Sequence, residues 1–210
     1  MTVPASSVGP PEHSVLEYPW AIGLGIYSAI VFALLVWMAA GRLRIRRWLA
    51  QGDAVTGTRV LGAFQNARDR FGLPEEVAVI EHPGIPAPLT CGIRRPVVVL
   101  PENFAEGLSD QELRSIAFHE TAHIKRRDTL VLTLAALVRA VCFFQPLVWY
   151  ASRKISYLAE VSCDTAVLRH GSDPVSYAGL LTRIAYRLPE HALATEMAAG
   201  ILFSNSTFLR

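Results

Sequence analysis

The chain has 210 residues, of which 51% are hydrophobic, and its mean hydropathy is +0.31. This length allows one domain, and the apolar share exceeds the usual value for soluble proteins, which favours a membrane protein. A formal net charge of +2 gives no reason to expect a nucleic-acid partner. The three cysteines do not form a disulfide-type pattern, which suits a reducing compartment for the catalytic part.

The first predicted element is residues 18–41, a charge-free apolar stretch that is long enough to cross a bilayer as a helix. Two glutamates precede it and four arginines follow it within residues 42–47, an arrangement unlike a signal peptide. The positive-inside rule then predicts an extracytoplasmic N-terminus, residues 1–17, and a cytoplasm-facing domain, residues 42–210, in the cell membrane. The alternative is a buried core helix of a soluble protein.

The next elements are predicted to form a small scaffold. Helical spacing over residues 58–72 ends at a glycine that is followed by a proline, which is typical of a helix terminus. Short strands separated by proline and glycine turns are then predicted at residues 77–81, 87–91 and 97–100. These strands are expected to form one small sheet.

A capping box, Ser109-Asp110-Gln111-Glu112, predicts that a helix starts ten residues before the motif His119-Glu120-Thr121-Ala122-His123. Helical geometry places His119 and His123 on one face, where both can bind one metal ion. Glu120 is rotated about 100° away, toward the open position of the ion, where it can take a proton from water. This is the zinc signature of metalloproteases, although unrelated proteins also carry such matches.

A catalytic zinc site needs a third protein ligand, and a helix predicted over residues 159–168 offers one. Glu160 and Asp164 share one face of this helix. We predict that Glu160 is the third ligand and that Asp164 accepts the free ring N–H of a ligating histidine, His119. Two alternatives stay open: both carboxylates can be ordinary surface groups, and Cys163 can be the ligand or a small packed residue.

A second apolar stretch, residues 130–152, has basic residues on both sides. If this stretch crossed the membrane once, Glu160 and the zinc signature would lie on opposite sides and could not share an ion. We therefore predict a re-entrant hairpin. Its break is expected at Gln145-Pro146, because proline removes a helical donor. Arg139 within the stretch argues against full lipid exposure. The competing interpretation is a core helix of the protease domain.

The last predicted helix begins at Ser172-Asp173-Pro174. Tyr177 lies on its apolar stripe, and we interpret this residue as part of the core rather than as a donor to a reaction intermediate. The histidines outside the zinc signature receive the same structural interpretation; they are His13, His82, His170 and His191.

Several segments in this order resemble the integral-membrane gluzincins of the beta-lactam sensor and antirepressor type, over roughly residues 20–190. They are PAPLTCGIRRPVVVLP, HETAH followed after one isoleucine by KRRD, FQPLVWYASRK and AEVSCD. The site is also similar, more distantly, to the HtpX-like and prenyl-protein membrane proteases, whose third ligand is likewise a glutamate in an E-x-x-x-D arrangement.

This resemblance implies one catalytic Zn²⁺ and a zinc endopeptidase that inactivates a transcriptional repressor or another regulatory protein. The implied partners are a protein or peptide substrate, the lipid bilayer, and a sensor that is either a separate protein or a domain beyond this chain. The expected fold is α+β and mainly helical, a membrane-anchored gluzincin protease domain with a small β-sheet.

The resemblance also implies that the edge of the small sheet holds the substrate extended beside the zinc. We place this edge at Pro88, Leu89, Thr90, Cys91 and Gly92, with a purely structural hairpin as the alternative. Two other functions fit the same chain: a membrane quality-control or processing protease, and a non-catalytic signalling scaffold with structural zinc. Glu120 argues against the scaffold, because a purely structural site needs no base.

Overall fold

The computed structural model describes residues 19–74 and 76–187, which form a mainly helical α+β fold with a small sheet, as predicted. The elements in chain order are α1 Pro19–Leu49, β1 Asp53–Ala54, α2 Thr58–Phe71, β2 Ala78–His82, β3 Leu89–Cys91, β4 Val97–Pro101, a 3₁₀ turn Phe104–Gly107, α3 Asp110–Arg126, α4 Asp128–Val141, α5 Pro146–Arg169 and α6 Pro174–Arg187.

Helix α1 is longer than predicted, because it continues through the arginine cluster to Leu49. Arginine and leucine are good helix formers, so the helix continues past Gly41 and ends only before Gly52. Among the described residues it is the one helix long and apolar enough to cross a membrane. Most of its side chains are exposed, about a third are half-buried, and Met38 alone in this helix is buried, against α4. This exposure excludes the alternative of a buried core helix.

The sheet has the strand order β1-β2-β4-β3. Strands β2 and β4 are parallel, and the two outer strands pair antiparallel with them. Strand β1 was not predicted, since two residues are too few to show an alternating pattern. Strand β3 is shorter than predicted and lies at an edge of the sheet. Pro88 and Gly92 lie outside it, because proline cannot donate to a ladder and Gly92 has a φ of +90°.

Helix α3 lies at the centre of the domain, and every residue from Ser115 to His123 is buried. The predicted capping box is present: the Ser109 hydroxyl accepts from the Glu112 N–H at 3.2 Å, and Glu112 Oε2 accepts from the Ser109 N–H at 2.7 Å. The apolar residues of α3 pack with those of α2, β4, α5 and α6 into one core that includes Phe64, Leu100, Leu113, Val167 and Leu180.

The chain bends after α3 and reverses direction after α4, so that α3 and α4 both run antiparallel to α5. Arg127 ends α3 in the left-handed region, with a φ of +57°, so that α4 begins directly at Asp128. The break in the second apolar stretch comes at residues 142–145, and Pro146 is the first residue of α5, where its missing N–H costs nothing. The predicted helix 159–168 is therefore the second half of a longer helix.

Helices α4 and α5 form an antiparallel hairpin beside α1. Leu134 and Val138 on α4 are each 52% exposed. One face of α4 is therefore not covered by the rest of the described chain, whereas Ala136 and Ala140 on another face are buried.

Candidate metal centre

The two histidines of the zinc signature lie one turn apart on α3, and both are buried. Their Nε2 atoms face each other at 3.2 Å. Two imidazoles that share a tetrahedral zinc ion at about 2.05 Å would have their nitrogens about 3.3 Å apart. The backbone of α3 alone therefore places His119 and His123 at the separation that a shared ion requires.

Glu160 reaches the same point from α5. Its Oε2 lies 3.4 Å from His119 Nε2, and its Oε1 lies 3.7 Å from His123 Nε2. One donor atom from each of the three side chains lies within 4.8 Å of the other two. Glu160 is buried, and within the described part of the chain its Oε1 has no hydrogen-bond partner. A buried carboxylate oxygen without a partner is costly unless a cation or a donor satisfies it.

Each histidine is oriented by a carboxylate at its other ring nitrogen. His123 Nδ1 lies 2.9 Å from Asp128 Oδ2, and His119 Nδ1 lies 3.2 Å from Asp164 Oδ1. The Tyr177 hydroxyl donates to Asp164 Oδ1 at 2.9 Å, so at 3.1 Å from His119 Nδ1 it can only accept. Both Nδ1 atoms thus carry a proton, which leaves Nε2 of each ring as the nitrogen that can bind a metal ion.

The result is a buried site in which two imidazole nitrogens and one carboxylate converge. Such a donor set fits a divalent metal ion of the zinc type, and the carboxylates of Asp128 and Asp164 already orient the two histidines. Burial lowers the pKa of His119, yet Asp164, Glu160 and Glu120 outweigh it and raise that pKa to about 10. The carboxylates that favour a proton at His119 also favour a metal cation in its place, and metal binding would release that proton.

Glu120, between the two histidines, is buried and held by Thr90 of β3. The Thr90 hydroxyl donates to Glu120 Oε2 at 2.7 Å. This hydrogen bond fixes one carboxylate oxygen of Glu120 and leaves the other available for a reacting proton. It also connects the edge strand of the sheet directly to the metal-site helix.

A family model described as BlaR1 peptidase M56 matches residues 7–200. The chain belongs to the M56 peptidase family. It is similar to the "Regulatory protein BlaR1" of Bacillus licheniformis, at 29% identity over 150 residues, which are 71% of this chain and 24% of that protein. It is also similar to a "Protease HtpX homolog" of Methanopyrus kandleri, at 38% identity over 86 residues, 38% of this chain and 27% of that protein.

A third relative is the "Methicillin resistance mecR1 protein" of Staphylococcus aureus, with 27% identity over 82 residues, 39% of this chain and 14% of that protein. The chain thus spans about a quarter or less of the length of these curated relatives. The family is one of peptidases, and family membership implies a metal ion.

Cys163, the alternative third ligand in this M56 peptidase, lies on the opposite side of His123 from Glu160. Its sulfur is 3.3 Å from His123 Nδ1 and 3.7 Å from Asp128 Oδ2, and burial raises the pKa of the thiol. Among residues 19–74 and 76–187, Cys163 could share a metal only with His123 Nδ1 and Asp128. That nitrogen already donates to the Asp128 carboxylate, so the position favours packing behind the imidazole.

The five residues of the predicted substrate segment differ in burial and in their position relative to β3. Thr90 and Cys91 are buried, Leu89 is half-buried at the sheet edge, and Pro88 and Gly92 flank the strand. Thr90 is directed inward to Glu120 rather than toward a bound peptide. A substrate that pairs with β3 would therefore use its backbone more than its side chains.

Three contacts of the site were not predicted from the sequence: Asp128 with His123, Tyr177 with Asp164, and Thr90 with Glu120. The aspartate that follows KRR was available as a signal for the first of these. Tyr177 was correctly assigned to the core, where its ring packs, but its hydroxyl reaches the metal site. His82 makes a tilted ring contact with Trp48, and His170 stacks on Phe118. His13 and His191 lie outside the described residues.

Proposed function

We propose that this M56 peptidase is a zinc endopeptidase that hydrolyses a protein substrate at the cytoplasmic side of the cell membrane. One observation carries the proposal: the Nε2 atoms of His119 and His123 and the carboxylate of Glu160 converge in a buried site beside Glu120. A structural zinc site is normally closed by four protein ligands, whereas three ligands and an adjacent carboxylate are typical of catalytic sites.

His119, His123 and Glu160 would hold the ion, and Asp164 and Asp128 would keep the two imidazoles in the ligating tautomer. When bound there, zinc lowers the pKa of water toward ~7 and polarises the scissile carbonyl. The remaining chemistry belongs to side chains of the chain itself.

Glu120 is the proposed general base. Its Oε2 is fixed by Thr90, so its Oε1 takes the proton of the attacking water and later passes it to the leaving amine. Burial of both residues keeps this oxygen in one orientation. Thr90 does not touch the reacting atoms and acts as a positioning residue.

The substrate would bind as an added strand at the edge of β3. Strand β3 pairs with β4 on one side, and its other side pairs with no strand among the described residues. An extended peptide on that side satisfies the unpaired backbone groups and runs past the Thr90–Glu120 contact. The segment Pro88, Leu89, Thr90, Cys91 and Gly92 is thus the proposed substrate edge.

For the substrate, we propose a transcriptional repressor or another regulatory protein, with sensing by a partner or a further domain. The similarity to the "Regulatory protein BlaR1" and the "Methicillin resistance mecR1 protein" supports this choice. The second candidate is a membrane quality-control or processing protease, which the similarity to a "Protease HtpX homolog" favours. In both cases the arginine cluster that follows Gly41 supports a cytoplasmic domain and an outside N-terminus.

The test compares cleavage of an unfolded protein substrate by the wild type and by Glu120→Gln, each loaded with zinc in detergent. We expect wild-type cleavage, and a loss of at least ~100-fold in Glu120→Gln with unchanged zinc content, because the amide cannot accept the proton. Glu102→Gln, at an exposed glutamate, is the matched control. Cleavage by Glu120→Gln at the wild-type rate would remove Glu120 from the mechanism.

A further inference from the structure

The α4–α5 hairpin runs alongside α1 with matching positions along its length. At the tip, Tyr27 stacks on Phe143 with ring centroids 6.1 Å apart. Farther down, Met38 packs with Ala136 and Ala140 in a small apolar cluster. Near the base, the Arg42 guanidinium donates to the Thr133 hydroxyl. The hairpin therefore occupies the same depth range as the membrane helix.

The outer surface of the hairpin is apolar and exposed. At its tip Phe144 and Leu147 are 68% and 67% exposed, which would be costly in water. Arg139 is the sole charged residue between Asp128 and Arg153. Its guanidinium lies 5.0 Å from the centre of the Trp149 ring, which shields this charge through a cation–π contact.

The backbone at the tip is satisfied from within the protein. Three successive carbonyls have donors: the Tyr27 hydroxyl for Val141 at 3.0 Å, the Gln145 N–H for Cys142 at 2.9 Å, and the Trp149 indole for Phe143 at 2.8 Å. In water a loop of this kind needs no such donors. In a bilayer it does, because hydrocarbon offers no hydrogen bonds.

Basic residues mark where the inserted part ends. Arg42 on α1 is level with Thr133, and Arg153 and Lys154 lie on the matching stretch of α5. From Thr133 to Val141 a helix rises ~12 Å, and from Arg42 to Tyr27 it rises ~22 Å. Measured along these two helices, the tip thus lies ~12–22 Å from the basic level, a range that includes the middle of a hydrocarbon core of ~30 Å.

We infer that the α4–α5 hairpin is inserted into the bilayer to about mid-depth beside α1, which places the metal centre at the membrane surface. Asp128, the first residue of α4, binds His123, so the base of the hairpin and the metal centre are joined. Asp128 lies five residues before Thr133, or ~8 Å along the helix. Given the proposed protease function, the scissile bond would lie in a segment next to the membrane.

The test attaches a nitroxide to one accessible cysteine at a time in the 210-residue chain, in lipid vesicles, while Cys91 and Cys163 stay buried. It measures collisions with oxygen, which is lipid-soluble, and with a water-soluble nickel chelate. Phe144→Cys and Leu147→Cys report on the tip, in a Cys142→Ser background. Val175→Cys on α6, at an 80% exposed position, is the matched control. Labelling the native Cys142 in the unaltered chain keeps the test valid if a tip variant does not fold.

We expect the tip labels to collide mainly with oxygen and to be protected from the nickel chelate, and the Val175→Cys label to show the reverse. Tip labels that are as accessible to the chelate as the Val175→Cys label would overturn the insertion. The readout needs neither zinc nor catalysis, so its failure is distinguishable from a failure of the protease proposal.

Discussion

The Asp128 carboxylate lies 2.9 Å from Nδ1 of His123, on the side of the ring that faces away from His119. This contact exists because Arg127 adopts a left-handed conformation and starts α4 one residue after α3 ends. Asp128 also accepts from Arg126 at 3.1 Å. One aspartate thus orients a proposed metal ligand and opens the hairpin beside the membrane helix.

Asp128→Asn should weaken zinc binding by ~10-fold or more, because the neutral amide no longer favours the Nδ1–H tautomer of His123. The measurement is a competition titration with a chelating zinc indicator. Asp69→Asn, at an aspartate paired with Arg68 on the surface of α2, is the control and should bind as the wild type does. Equal affinities for all three proteins would contradict the orienting role of Asp128.

Thr90→Val should lower kcat by ~10-fold or more without changing zinc content, because Glu120 loses the donor that fixes its Oε2. Thr90→Ser keeps a hydroxyl at the same position and should retain most of the activity. The measurement is steady-state cleavage with kcat and KM determined separately. If the valine and serine variants cleave equally fast, the hydrogen bond has no positioning role.

Much of this centre follows from local sequence rules, and the rest depends on packing. The capping box and the four-residue spacing of His119 and His123 specify α3 and its ligating face without reference to other elements. The role of Glu160 could be predicted from the sequence, because helical spacing places it on the same face as Asp164. The roles of Thr90 and Tyr177 could not, because their contacts arise only when β3 and α6 pack against α3.

In the fold, too, some elements follow from local sequence and others depend on packing. The apolar stretch of α1 and the break before Pro146 were evident from composition and from the missing proline donor. The end of α1 at Leu49 was not, because arginine suits both a helix and a cytoplasmic loop. Strand β1 is two residues long and is defined only by its pairing with β2.

Cys163→Ala should keep the full zinc content, because the sulfur lies behind His123 rather than beside Glu160. Loss of the buried sulfur should still lower the free energy of unfolding by ~1 kcal/mol. Metal analysis and thermal unfolding in detergent measure the two effects. Loss of zinc from this variant would restore the cysteine as a ligand.

The capping box should make stability depend on pH. The hydrogen bond from the Ser109 N–H is the largest cause that lowers the pKa of Glu112 from its model-compound value of 4.5. Since the folded-state pKa lies below the unfolded one, the stabilisation is complete above about pH 5 and is lost as the pH falls through the folded-state pKa.

Glu112→Gln should therefore have a lower Tm than the wild type near pH 6, and the difference should shrink toward pH 3. Ser109→Ala should cost ~1 kcal/mol, because it removes the side-chain acceptor at the helix start. A Tm difference between wild type and Glu112→Gln that stays constant down to pH 3 would show that the charge of Glu112 does not contribute.

The central claim is that His119, His123 and Glu160 hold a catalytic zinc ion, and zinc stoichiometry tests it most directly. The measurement is metal content per chain after dialysis against a weak chelator, for the wild type, Glu160→Ala and the surface control Glu102→Gln. We predict about one zinc per chain in the wild type and the control, and a clear loss in Glu160→Ala. A wild type without zinc, or a Glu160→Ala protein that keeps it fully, would contradict this assignment.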